Sequence, residues 1–198
     1  MRDTAAPTPS SPSWHSSARI APLAGQAAVA VAGAALMTLA AKTQIPFWPV
    51  PMTLQTLAVM GFAVALGPQR AVAILLTYLA AGALGLPVFS GTPERGIGLA
   101  YMVGPTGGYL LGYLTAAGLV GALARGRGPL GQGLAMLVGL VPVYGLGVMW
   151  LATFVPAGKL LALGVTPFLF GDLVKIALIT VVAALVPESL TRRLGRFL

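Results

Sequence analysis

A chain of 198 residues that is 57% hydrophobic and only 8% charged, with a mean hydropathy of +0.89, lies outside the composition of soluble domains and belongs in a bilayer. Its formal net charge of +8 comes from basic residues scattered between apolar runs, with no basic stripe interleaved with aromatics, so nucleic acid is not an expected partner and membrane topology explains the excess. The lack of cysteine excludes disulfides, thiolate metal sites and cysteine nucleophiles.

Residues 1–18 (MRDTAAPTPSSPSWHSSA) are rich in Pro, Ser and Thr and lack periodicity. They read as a disordered tail, leaving 19–198 as one membrane domain. The single His15 lies in that tail and reads as solvated, not as a ligand or base. An uncharged run from Arg19 to Ala41 follows; it is longer than a signal-peptide core and reads as a retained helix. The predicted spans are 20–41, 53–66, 71–86, 105–124, 129–154 and 166–186, about six at roughly 20 apolar residues each. Glycines and prolines interrupt these runs, as membrane helices tolerate. Lys and Arg sort by side across them. Arg2, Arg19, Arg70, Arg125, Arg127, Arg192, Arg193 and Arg196 share one face and Lys42, Arg95 and Lys159 the other, which predicts an all-α protein with six transmembrane helices and both termini in the cytoplasm.

The loops are asymmetric. The inner connections at GPQR (67–70) and RGRG (125–128) are short, whereas the outer ones are long and apolar. TQIPFWPVPM (43–52) carries prolines 46, 49 and 51, which preclude a regular helix, while Phe47 and Trp48 disfavour free solvation. Residues 87–104 carry Phe89, Tyr101 and the adjacent Glu94 and Arg95. Both loops are expected to fold back over the bundle as lids.

In TPFLFGDLVKIALITVVAALVP (166–187), Asp172 and Lys175 are the only charges between Lys159 and Glu188. They lie three residues apart on one helical side. Thr166 and Pro167 predict a helix start with a hydroxyl cap at the outer surface, which places Asp172 roughly 8 Å and Lys175 roughly 12 Å into the outer half. Facing lipid would cost about 3 kcal/mol for each, so both are expected to face the interior or a cavity. A mutual ion pair alone is a weak source of stability. A solute with a carboxylate and N–H donors fits the pair better, Lys175 donating to the first and Asp172 accepting from the second.

The remaining candidates are less specific. GPTGGYLLGYL (104–114) lacks the Lys and Ser or Thr of a phosphate loop and opens a span; glycines 107, 108 and 112 predict close helix packing, with Tyr109 facing cavity or interface. No ATP-binding motif occurs, so any ATP use falls to a partner. Ala24, Ala28 and Ala32, with a second row at Ala30 and Ala34, form either an internal packing surface or a docking face for another membrane protein. Thr53 and Gln55 open the second span and Tyr78 lies midway along the third; each either bonds a neighbouring backbone or lines a site. Arg95 is either a solvated loop charge or a contact for an anionic ligand.

Several of these strings agree with one family. IPFWPVPMTLQTLAV (45–59), GALGLPVFSG (82–91), MVGPTGGYLLGY (102–113) and GDLVK (171–175) resemble, in order, the signature segments of BioY, the biotin-binding S component of energy-coupling factor transporters. The resemblance implies a bacterial cytoplasmic-membrane protein that captures biotin from outside beneath closing loops and uses no cofactor. It also implies a T subunit and two ATP-binding subunits as partners, with the alanine rows of the first helix presented to the T subunit. Asp172, Lys175 and Arg95 are implied as biotin contacts. Asp172, the aromatic lid residues including Phe89, and a basic residue would serve the ureido group, the thiophane ring and the carboxylate. Either Lys175 takes the carboxylate, or it holds Asp172 charged while Arg95 does. One alternative is a stand-alone carrier, alone or as a homo-oligomer; a proton-coupled carrier or intramembrane enzyme is another, against which stands the lack of a second acidic residue in the spans.

Overall fold

The computed structural model describes residues 17–46 and 48–186, with side chains from residue 24; the tail with His15, Phe47, Glu188 and the C-terminal arginines lie outside the described residues. The chain is mostly helical. In order come α1 (Ser17–Lys42), β1 (Gln44–Ile45), β2 (Met52–Thr53), α2 (Gln55–Leu66), α3 (Pro68–Ala83), α4 (Leu99–Met102), α5 (Gly107–Ala124), α6 (Pro129–Leu151), a 3₁₀ turn (Ala157–Lys159), α7 (Leu160–Gly164) and α8 (Thr166–Leu185). Among the described residues, four helical segments are long and apolar enough to cross a membrane: Ala24–Lys42, Gly107–Ala124, Pro129–Leu151 and Ala157–Leu185. Their outward faces expose large apolar side chains such as Val31, Val141, Phe170 and Leu185, a surface that fits lipid and not water.

Prolines set three of the starts. Pro68, Pro129 and Pro167 stand in the first turns of α3, α6 and α8, where the missing N–H would have no intrahelical partner. At α8 the expected hydroxyl cap does not form. Val165 is the cap residue, and Thr166 Oγ1 instead donates back to the Leu161 carbonyl at 3.0 Å, because α7 brings that carbonyl within reach. Gly67 turns the chain between α2 and α3 with φ +77°, a conformation that glycine adopts without strain.

The most extensive packing is α5 on α6, and the glycines of the 104–114 stretch are its cause. A Cβ added to Gly112 would lie 2.6 Å from Val143 Cα and 2.9 Å from the Pro142 carbonyl oxygen; one on Gly108 would overlap the Leu146 carbonyl. Backbone meets backbone here, so nothing can give way. Gly112→Val is expected to destabilise the protein by about 1–3 kcal/mol or more, whereas Gly145→Ala on the same helix pair, with no atom near the added Cβ, is expected to stay within about 0.5 kcal/mol. Thermal unfolding in detergent reads the contrast.

The expected loop 43–52 is not simply irregular. β1 and β2 pair antiparallel, Gln44 with Thr53 and Ile45 with Met52, so the prolines lie in the turn between two short strands. The segment does fold back, burying Val50 and Pro51, but Trp48 is 77% exposed, contrary to the expectation that it would leave solvent. Its ring instead carries the Arg95 guanidinium, 5.6 Å from the centroid. An amphipathic indole with a cation on its face suits a boundary between water and apolar surroundings.

Candidate functional site

Where the loops close, the inward side chains of α2, α5, α6 and α8 line a narrow chamber. The inward stripe of α8 sets its charged wall. Phe168, Asp172 and Ile176 recur every four residues and are buried, while Leu173 and Val174 are turned outward. Asp172 is only 3% exposed. Lys175 Nζ donates to Asp172 Oδ1 at 2.9 Å and to the Thr53 carbonyl at 2.7 Å, and the Tyr144 hydroxyl donates to Asp172 Oδ2 at 2.7 Å. Among the described residues each carboxylate oxygen thus has one donor, and the lysine ties α8 to β2. An ionised carboxylate retains unused lone-pair sites when each oxygen accepts one bond.

Around this pair the walls are polar hydroxyls on an apolar base. Thr53, Gln55, Thr56, Tyr109 and Tyr113 line the chamber with Val143 and Phe168, and Val50, Pro51 and Met52 form part of its cover. The Tyr109 hydroxyl donates to the Gly164 carbonyl at 2.7 Å, fixing its ring. Thr56 and Tyr113 hydroxyls lie 3.4 Å apart. Gln55 reaches outward from the chamber: its Nε2 donates to the Tyr78 hydroxyl at 3.1 Å, its Oε1 accepts from Thr53 Oγ1 at 3.1 Å, and Tyr78 donates on to the Val88 carbonyl at 3.3 Å.

Of the residues singled out in the sequence, Asp172, Lys175, Thr53, Gln55 and Tyr109 therefore meet in one chamber. Tyr78 and Phe89 do not line it. Both are fully buried behind it, Phe89 edge-on to Tyr78 at 5.4 Å and stacked on Tyr101 at 4.8 Å, and Tyr101 is the ring that reaches the chamber. Burial pushes the Tyr101 hydroxyl above the usual tyrosine range, so it stays neutral. Arg95 lies outside, in a second cavity with Trp48, Pro49, Glu94 and Pro105. The two cavities share Tyr101 and Thr106. Arg95 Nη1 donates to the Pro49 carbonyl at 2.9 Å, linking the two outer loops. A second link runs from α1, where Lys42 Nζ donates to the Thr92 hydroxyl at 2.7 Å and to the Thr92 carbonyl at 3.1 Å, and Ser90 donates to the Gln44 side chain.

The alanine rows separate. Ala24, Ala28 and Ala32 are exposed, whereas Ala30 is half-buried and Ala34 is in the core, beside Gly33, whose added Cβ would run into Ile74 of α3. Sequence reasoning missed Tyr113, Tyr144, Thr56 and Thr106. Tyr113 carried a signal, since it stands four residues after Tyr109 on the same helical face. Tyr144 carried only its hydroxyl within an apolar run.

A mostly helical membrane protein whose outer loops cover a chamber with one buried carboxylate belongs to the class that encloses a small solute within a helical bundle. The loops, chamber and helices all lie within the residues that define one family. This chain belongs to the BioY family, whose model matches residues 11–192. It is 38% identical over 149 residues to a probable biotin transporter BioY of Pyrococcus horikoshii, covering 75% of this chain and 88% of that protein. It is 34% identical over 153 residues to the biotin transporter BioY2 of Lactococcus lactis subsp. cremoris, covering 75% and 82%. Its fold is similar to the crystal structure of the S component for biotin from an ECF-type ABC transporter, with a TM-score of 0.69 and 25% identity over 84% of this chain and 92% of that one.

Proposed function

We propose that this protein binds biotin and takes it up across the membrane as the S component of an energy-coupling factor transporter. It is a transport protein and not an enzyme. The observation that carries the reading is the Asp172 carboxylate, 3% exposed beneath two outer loops, in a BioY-family chain similar along most of its length to an S component for biotin.

The ureido group of biotin supplies N–H donors that the remaining lone pairs of the Asp172 carboxylate can accept, with Lys175 and Tyr144 orienting it. Phe168, Tyr109 and Tyr101 suit the apolar thiophane ring. Arg95, whose cavity shares Tyr101 and Thr106 with the chamber, is the base we assign to the biotin carboxylate, while Lys175 holds Asp172 and the Thr53 carbonyl. Thr53 and Gln55 shape the wall, and Tyr78 and Phe89 support it from behind.

Six helices span the membrane in this reading: α1, α2, α3, α5, α6 and α8. At 1.5 Å per residue α2 is about 18 Å long and α3 about 24 Å, so the loops over the chamber complete their crossings within protein and not in lipid. The arginines at the two short turns put those turns and both termini in the cytoplasm of a bacterium, with the chamber facing outward. A T subunit and two ATP-binding subunits supply the coupling. The T subunit docks on the exposed row Ala24, Ala28 and Ala32, where small side chains permit close approach.

Equilibrium binding of labelled biotin to the full chain purified in detergent tests the reading: saturable binding is expected, and its absence sinks it. Uptake in cells lacking every T and ATP-binding subunit tests the coupling. No uptake is expected; residual uptake would favour a stand-alone or oligomeric carrier.

A further inference from the structure

At the end of the bundle opposite the chamber, a crevice of about 280 Å³ opens between α1, the turn joining α2 to α3, and the end of α5. Arg70, from the first turn of α3, and Arg125, the residue that follows α5, both line it, together with the amides of Gln26 and Gln69. Arg125 Nη2 lies 3.8 Å from the position that a Cβ on Gly67 would take, so its guanidinium rests against the turn that carries Arg70. Among the described residues neither arginine side chain has an ion-pair or hydrogen-bond partner. The described acidic residues, Glu94 and Asp172, line the cavities at the other end. Two like charges in one crevice repel, and an anion between them removes that cost.

We infer that this crevice binds the phosphate of an anionic phospholipid. Guanidinium groups present paired N–H donors that match phosphate oxygens, and the amides of Gln26 and Gln69 add further donors. Val29, Ala30, Leu66 and Ala73 form the remaining wall, and Leu76, three residues after Ala73 on α3, is half exposed. A polar pocket that opens onto apolar surface suits a headgroup with its chains attached, and not a free anion. The crevice also stands at the ends of α2 and α5, where headgroups meet the bundle. This assignment does not depend on biotin being the solute.

The full chain in neutral detergent is titrated with phosphatidylglycerol, phosphatidylcholine or glycerol 3-phosphate, with bound lipid counted by native mass spectrometry. Saturable phosphatidylglycerol binding is expected, weakened about 5-fold by each of Arg70→Gln and Arg125→Gln, while Arg127→Gln, a neighbouring exposed arginine outside the crevice, changes nothing. Thermal unfolding in detergent reports the fold of each variant, and the exposed Arg125 supplies the test if replacing the half-buried Arg70 unfolds the chain. The assignment is overturned if phosphatidylcholine binds equally, if Arg127→Gln weakens binding as much, or if glycerol 3-phosphate competes at matched concentration, which would make this a soluble-phosphate site. Undiminished lipid binding with lost uptake in the crevice variants would overturn it in favour of a partner contact.

Discussion

Replacing Asp172 with Asn is expected to weaken biotin binding by about 10- to 100-fold, the loss that follows when a charge-assisted hydrogen bond worth about 1.5–3 kcal/mol is removed. The substitution keeps the shape but changes the donor balance. Asp172 accepts from Lys175 on one oxygen and from Tyr144 on the other, so an amide must turn its own N–H groups toward one of these donors. That donor loses its acceptor, and the ureido N–H groups of biotin meet a neutral oxygen in place of a carboxylate. Because the site is 3% exposed, water cannot repair the mismatch cheaply. Calorimetric titration of biotin into the folded variant checks the figure; unchanged affinity would move the ureido contact away from α8 and leave Asp172 with a packing role.

The part of this site that lay on α8 was legible because two charges three residues apart cannot face lipid, and a single helix then fixes where they point. Helix ends were legible in part for similar local reasons: Pro129 and Pro167 mark starts, and the observed α5 (Gly107–Ala124) and α8 (Thr166–Leu185) differ from the predicted spans by only a few residues, whereas α3 begins at Pro68, inside the stretch 67–70 expected as a loop. What connects distant segments was not legible. Tyr144 reaches Asp172 from 28 residues away, and Lys175 finds its second acceptor on Thr53, 122 residues away; neither pairing leaves a periodic trace. Arg95 illustrates the same limit, since its sequence neighbour Glu94 says nothing of the Pro49 carbonyl or the Trp48 ring. Trp48 went the other way from expectation because hydrophobicity alone does not distinguish a core indole from one at an interface. Ala30 and Ala34 share a spacing with the exposed alanine row yet turn inward, because small residues serve packing within a chain and docking between chains by the same physics.

Lys175→Met separates a structural strut from a ligand site more sharply than any change at Asp172. Methionine keeps the length of the side chain but removes the ammonium that donates 2.9 Å to Asp172 and 2.7 Å to Thr53. The carboxylate is then left buried with Tyr144 as its remaining donor among the described residues, and uncompensated buried charge costs about 3–5 kcal/mol. The tie from α8 to the outer hairpin is lost as well, so the loops over the chamber loosen with it. If the pair serves the ligand and not the fold, its removal as a whole should cost little: the double variant Asp172→Asn with Lys175→Met should recover most of the stability lost by Lys175→Met alone, because replacing a buried ion pair by neutral groups is often close to neutral. Unfolding followed in detergent for the parent, both single variants and the double variant closes the cycle. The expected pattern is a stable double variant that binds biotin at least as weakly as Asp172→Asn alone, since stability needs only charge balance whereas the proposed ureido contact needs a carboxylate. A double variant as unstable as Lys175→Met would mean that the pair holds the bundle together, and a stable double variant that binds biotin as tightly as the parent would place the solute against other walls of the chamber.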